Sequence, residues 1–428
     1  MTLTALDIAH LIFALSLLML AAHGLGYLFQ RLHQPPVIGE ILGGLLLGPT
    51  LFKMVMPSGY QFIFLENKPT QIVLNTYYNL GLLLLMFCSG MEMISNFRKD
   101  EKKAALFISA IGTFLPFIFS FVLLHFIDPH QHIGSANNLT AFTLIFAIGI
   151  AVTSIPVISR ILFDLKILDT PFSRIVLSSA LIEDVILYII LSIALAMVGT
   201  ADKDAFGLPA LLHLSPTSSL GLSYHVVVTL VFFGSSLLIG PRVFRWMDSF
   251  RFNLPRRRSP LAFLLLILFV MSGLATLLGI TPMLGAFAAG IIARKLRGDA
   301  EVSRESIKEF SFAFFIPIYF AMIGLKLDLI HHFNLVFFIG FLVCACLIKV
   351  ICVYAGGRLA GESPPGSFNL AIAMNARGGP GIVLASLAFD AHIINEGFYT
   401  VLVMLAIVTS LLAGSWLGFV VRRGGVLR

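Results

Sequence analysis

The chain has 428 residues, of which 58% are hydrophobic and only 12% charged. A soluble domain carries about 25% charged residues, so this composition excludes a water-facing globule. The net charge of +7 does not mark a nucleic-acid binder, because the basic residues lie in short loops between apolar runs.

Thirteen apolar stretches follow one another along the chain, at roughly 6–30, 36–53, 71–93, 104–127, 138–162, 171–198, 223–246, 260–280, 282–296, 306–326, 334–357, 367–390 and 397–421. Most have the ~20 residues that a helix needs to cross a bilayer of ~30 Å. Helices satisfy their own backbone hydrogen bonds in lipid, so the pattern predicts an all-α polytopic membrane protein. The second and ninth stretches are short and glycine-rich. The N-terminus lacks a basic region and its first run is long enough to span, so no cleavable signal peptide is expected. Cys88, Cys344, Cys346 and Cys352 lie inside apolar runs without metal or disulfide spacing and read as apolar fillers. No nucleophile–base constellation, metal cluster or phosphate loop points to an enzyme, and no cofactor is expected.

Basic loops stay on the cytoplasmic side. Of the 29 Lys and Arg residues, 23 fall on one set of alternate loops, including Arg98–Lys103, Arg242–Arg258, Arg294–Lys308 and Arg422–Arg428. Lys53, Lys68, Lys203 and Lys326 fall on the other set. The asymmetry predicts a cell (inner) membrane protein with its N-terminus outside and its C-terminus cytoplasmic.

The two halves resemble each other. PPVIGEILGGLLLG at 35–48 aligns with TPMLGAFAAGIIAR at 281–294, setting Gly44 on Gly290. LLMFCSGMEM at 84–93 aligns with IYFAMIGLKL at 318–327, setting Gly90 on Gly324, and Pro156 falls on Pro380. The first six stretches therefore pair with the last six. A displacement of seven spans inverts the repeat, which is the architecture of secondary transporters with a site near the membrane midplane. The stretch within 200–259 becomes a linker of one helix and its loops.

Two helices are expected to be broken. The fifth stretch carries Thr153-Ser154-Ile155-Pro156, and the twelfth carries Arg377-Gly378-Gly379-Pro380. Proline removes a backbone donor and glycine costs about 1 kcal/mol in a helix. Broken helices turn bare carbonyls and dipole ends toward an ion cavity, so Thr153 and Ser154 join the candidate ion and proton site.

Charges at membrane depth cost ~2.5–3.5 kcal/mol or more and default to functional hypotheses. Glu183 and Asp184 lie mid-span in the sixth stretch. Two close carboxylates resist simultaneous ionisation, and a carboxylate that takes either a hard monovalent cation or a proton is the basis of antiport. Lys349, about two turns inside the eleventh stretch, reads as the charge partner of Glu183. Arg377 reads as a neutraliser of a half-helix carbonyl end or a carboxylate partner. Glu40 and Arg160 read as a possible gating pair, and Glu92 and Asp164 as interfacial.

Taken together, PPVIGEILGGLLLGP at 35–49, TSIPVISRIL at 153–162, SALIEDV at 179–185, PIYFAMIGLKLD at 317–328 and MNARGG at 374–379 resemble the cation:proton antiporter 2 family over essentially the whole chain. The resemblance implies one membrane domain in which the helices of 6–93 and 260–326 form a scaffold that usually dimerises. Those of 104–199 and 334–421 would carry the ion, with the broken helices crossing beside the carboxylates. Asp184 maps on the principal ion ligand and Glu183 on the lysine partner. The implied activity is Na+/H+ exchange with a role in pH homeostasis, with K+ or Li+ as other cargo. A K+/H+ antiporter or K+ efflux pathway is the alternative, and an organic-anion symporter ranks below both because the carboxylates would repel an anion. The chain carries Glu-Asp where many sodium exchangers of the family carry two aspartates or Asn-Asp. The expected partners are membrane lipid, monovalent cations and a second copy of the chain.

Overall fold

The computed structural model describes residues 4–32, 34–65, 68–92, 99–168, 170–198, 207–214, 218–249, 258–296, 300–331, 333–425 and 427. In chain order the main helices are α1 (Ala5–Arg31), α2 (Pro36–Leu47), α3 (Lys68–Glu92), α4 (Lys99–Leu123), α5 (Leu139–Ala151), α6 (Ile155–Asp164) and α7 (Pro171–Ala196). They continue with α8 (Ser219–Leu238), α9 (Gly240–Ser249), α10 (Pro260–Leu277), α11 (Pro282–Arg294), α12 (Ala300–Phe310) and α13 (Ile316–Leu325). The last four are α14 (Leu335–Ala360), α15 (Pro364–Ala373), α16 (Gly378–Asp390) and α17 (Glu396–Arg422). Among the described residues the β-structure is limited to an isolated antiparallel bridge between Ile133 and Ile394.

Among the described residues ten helices are long and apolar enough to cross a membrane, and the pair Ser223–Leu238 and Gly240–Met247, bent by 50°, makes an eleventh if it is one span. The chain is a multi-pass membrane protein. The expected stretches at 138–162 and 282–296 contain shorter apolar helices, Leu139–Ala151 and Pro282–Arg294. The first is short because the chain leaves helical geometry at Val152–Ser154. The second is short because it starts at Pro282, just beyond the left-handed Gly279. Lys203, Arg98 and Arg256, used in reading the orientation, lie outside the described residues, as do 200–206, 215–217 and 250–257 of the expected linker.

The chain divides into two compact units. One comprises Met1–Tyr27, Gly39–Met93 and Gly199–Leu327; the other comprises Leu28–Ile38, Ile94–Val198 and Asp328–Arg428.

In the first unit the inverted repeat is visible as two equivalent helix crossings. A Cβ on Gly44 of α2 would stand 1.7 Å from Ala321 O of α13, and one on Gly324 of α13 would stand 1.9 Å from Ile41 O of α2. A Cβ on Gly90 of α3 would stand 2.2 Å from Phe287 O of α11, and one on Gly290 of α11 would stand 2.1 Å from Phe87 O of α3. Both crossings bring backbones closer than any side chain permits. The repeat sets α2 on α11 and α3 on α13, so each crossing is the image of the other. Close approach through small residues is how apolar helices associate where lipid removes the hydrophobic drive between them. Glu92 of α3 pairs with Lys308 of α12 at 3.1 Å, both partly exposed.

In the second unit α4 packs along α14, and α7 lies against α4 and α5. An aromatic cluster of Phe142, Phe146, Phe337, Phe341 and Phe398 fills one end of this unit. His132, from the loop before α5, stacks on Phe337 with ring centroids 4.2 Å apart. At the other end, Arg174 donates through Nε and Nη2 to Glu101 Oε1 at 2.8 and 2.7 Å.

Candidate functional site

The site begins with the two chain breaks. After α5 the chain is extended at Val152 and Ser154 before re-entering helix at Ile155. After α15 it turns at Met374 and Asn375 and re-enters helix at Gly378. The prolines stand in the first turn of the second half-helices rather than in the breaks: Pro156 follows Ile155 in α6, and Pro380 is the third residue of α16. There an amide would have no intrahelical partner, so a proline costs nothing. Gly378 and Gly379 likewise open α16. A Cβ on Gly378 would stand 2.2 Å from Val157 Cγ2 and 2.8 Å from Ser154 Oγ, so the crossing requires a glycine.

The breaks bind each other. Ser154 N donates to Ala376 O at 2.7 Å, and the Thr153 hydroxyl donates to Met374 O. Ser154 Oγ, the N-cap of α6, accepts from Val157 N. Thr153 and Ser154 are both fully buried. The side chains of Pro156 and Arg160 lie outside the described ones.

A helix end leaves four carbonyls without intrahelical donors. At the C-terminus of α5, Ile148 O accepts from Val152 N. Gly149 O accepts from Arg377 Nε at 3.1 Å and Ile150 O from Arg377 Nη2 at 2.9 Å. Ala151 O accepts from Lys349 Nζ at 2.5 Å. Two cations thus close the negative end of this half-helix, where the dipole favours them. Arg377 is 2% exposed, and its five N–H groups find five acceptors, the others being Ala345 O, Asn375 O and Asn375 Oδ1. Its contacts are the carbonyl end rather than a carboxylate. At the N-terminus of α16, Arg377 N and Gly378 N donate to the hydroxyls of Thr409 and Ser410 on α17.

Glu183 and Asp184 occupy the middle of α7, and neither has any exposed surface. Lys349 of α14 is also fully buried. Its ammonium reaches both carboxylate oxygens of Glu183, at 2.8 and 2.9 Å, with Gly112 O at 2.8 Å and Ala151 O completing three acceptor groups for three N–H bonds. Asp184 differs. Among the described residues neither of its oxygens has a hydrogen-bond partner of good geometry; Glu183 and the Ile155 amide at the N-terminus of α6 act on it. A helix N-terminus is favourable ground for an anion. The arrangement therefore sorts two adjacent carboxylates: one is held by a cation of the protein, and the other, among the described residues, by none.

Glu40 lies on α2 in the first unit, partly exposed, with Oε2 buried and unpartnered among the described residues. Arg160 lies on α6 in the second unit, and the expected pairing falls outside the described side chains. The sequence reading did not anticipate Thr409 and Ser410, which hold the Arg377 region, and it placed Asn375 in the MNARGG stretch without a role. Adjacent hydroxyls inside an apolar run were the available signal for the first two.

The family described as "Sodium/hydrogen exchanger, transmembrane" matches residues 15–423. The chain is 29% identical over 400 residues to cation/H(+) antiporter 18 of Arabidopsis thaliana, an alignment spanning 90% of this chain and 46% of that protein. It is 26% identical over 406 residues to the Na(+)/H(+)-K(+) antiporter GerN of Bacillus cereus, spanning 94% of this chain and 93% of that one. In fold it is similar to the sodium proton antiporter MjNhaP1 of Methanocaldococcus jannaschii, with a TM-score of 0.68, 14% identity, and 97% of this chain and 99% of that one covered. The chain belongs to the sodium/hydrogen exchanger transmembrane family.

Proposed function

We propose that the chain is a secondary antiporter that exchanges a monovalent cation, Na+ first, for protons at Asp184. The observation that carries this reading is a fully buried carboxylate that no cation of the described residues neutralises, next to one neutralised by Lys349. A bare carboxylate in such surroundings costs several kcal/mol in desolvation. Asp184 therefore crosses the membrane occupied by either a cation or a proton, and that alternation couples the two fluxes. Thr153 and Ser154, at the break that leads to the Ile155 amide, are the neighbouring oxygen donors for the cation.

Every one of these groups belongs to the second unit, which is the part we assign to carry the ion; the first unit is the scaffold and the dimer-forming part. The N-terminus is outside and the C-terminus cytoplasmic in a cell membrane. Cysteines placed at 203 and 256 test this orientation by opposite labelling with an impermeant reagent. A K+/H+ exchanger is the second reading. It is favoured by the glutamate at 183 and by the K(+) in the name of the Bacillus relative.

The deciding measurement is proton flux in sealed proteoliposomes with Na+, K+ and Li+ supplied in turn. Asp184→Asn is expected to abolish exchange for every cation while the protein remains folded. Native exchange rates in a folded Asp184→Asn protein would refute the assignment.

A further inference from the structure

Helix α4 contains an interior proline, Pro116. Proline has no amide hydrogen, so the carbonyl four residues earlier, that of Gly112, has lost its helical donor. Lys349 Nζ occupies that carbonyl at 2.8 Å. Gly112 is itself confined: a Cβ there would stand 2.7 Å from Val353 Cγ2, one turn along α14 from Lys349, and 3.7 Å from Glu183 Oε1. The glycine lets α14 and the carboxylate approach α4, and the proline leaves the oxygen free to meet them. The other backbone acceptor of Lys349, Ala151 O, is free because α5 stops there. Two interruptions of helical bonding, in different helices, each deliver one carbonyl to the same buried ammonium.

We propose that Pro116 is a positioning residue for the Lys349–Glu183 pair. The freed Gly112 O, together with Ala151 O, gives the ammonium two neutral acceptors that do not depend on Glu183. Lys349 is thereby held beside the Asp184 site whatever Glu183 does. The inference deepens the antiporter reading and rests on it only for its consequence in transport. The competing account is that Pro116 merely bends α4.

Pro116→Ala restores an amide aimed at Gly112 O and sets it in competition with the ammonium. Removing an interior proline should by itself raise the melting temperature. The proposal requires that rise to be fully present in a Glu183→Gln/Lys349→Met background, where no ammonium needs the carbonyl, and to shrink or reverse in the otherwise native chain. Pro116→Leu also restores the amide and must follow the same pattern, which separates the backbone effect from side-chain packing. In flux assays Pro116→Ala should lower exchange by about two- to tenfold, the equivalent of one hydrogen bond, and displace its pH profile. Equal melting shifts in the two backgrounds would overturn the proposal and leave Pro116 a bend. The melting cycle involves no transport, so its result stands apart from any failure of the antiporter reading.

Discussion

Replacing Lys349 by methionine keeps roughly the same side-chain length and removes the ammonium. The structure fixes what is left behind. Glu183 becomes a fully buried carboxylate without its cation, a state that costs ~3–5 kcal/mol. Gly112 O and Ala151 O lose their donor as well, at ~1–3 kcal/mol for each carbonyl that finds no substitute. A loss of about 5 kcal/mol is expected for the single variant. Glu183→Gln leaves a buried ammonium without its counter-ion, but the ammonium keeps both backbone carbonyls and the glutamine oxygen still accepts, so the lower end of the buried-pair range, about 3 kcal/mol, is expected. In the double variant the orphaned carboxylate is gone and only the carbonyls remain unsatisfied, so its loss should be about 2–3 kcal/mol below the additive value. The assay is a double-mutant cycle on unfolding in detergent, with flux measured alongside at imposed membrane potentials. Lys349→Met should make exchange less dependent on potential. Strictly additive losses would show that the two side chains do not support each other and would remove Lys349 from the exchange machinery.

Among the described residues Asp184 has no hydrogen bond beyond the approach of the Ile155 amide, which an asparagine oxygen also accepts, so Asp184→Asn should melt at or above the native temperature. A drop comparable with that of Lys349→Met would make Asp184 a structural group. Arg377→Ala strips donors from five acceptors and should destabilise by about 4 kcal/mol or more. Arg377→Lys retains the charge but brings three donors instead of five and should recover only part of that loss; native-like melting of the lysine variant would contradict the capping role. His132 lies in the loop before α5, where burial holds its imidazole below the ordinary histidine value while Asp128 partly opposes the shift. The folded state then binds fewer protons than the unfolded state in that range. Stability is therefore lost as pH falls below about 6.5 and through the lower folded value, and His132→Phe should flatten that part of the melting curve; an unchanged pH slope would refute it.

Length, composition and period were enough to determine the membrane class, the helical architecture and its inverted repeat. Apolar runs of bilayer length admit little besides helices, and the aligned glycines at 44 and 290 and at 90 and 324 are residues that helices crossing at contact must have. Mid-membrane charges were legible for the same reason: Glu183, Asp184, Lys349 and Arg377 are too costly in lipid to be incidental. In the sequence the pairing of Lys349 with Glu183, and Asp184 as the ion ligand, rested on the resemblance and the repeat. What only the tertiary structure supplies is the geometry: Lys349 arrives from a helix 166 residues away and meets both oxygens of Glu183. Arg377 could be read as the partner of a carboxylate or of a helix end, and it was the position of α5 that selected the helix end. The breaks were legible, but their limits were not. Proline and glycine suit the first turn of a helix as well as they interrupt its middle, and only the crossing of the two extended segments shows where each half-helix begins.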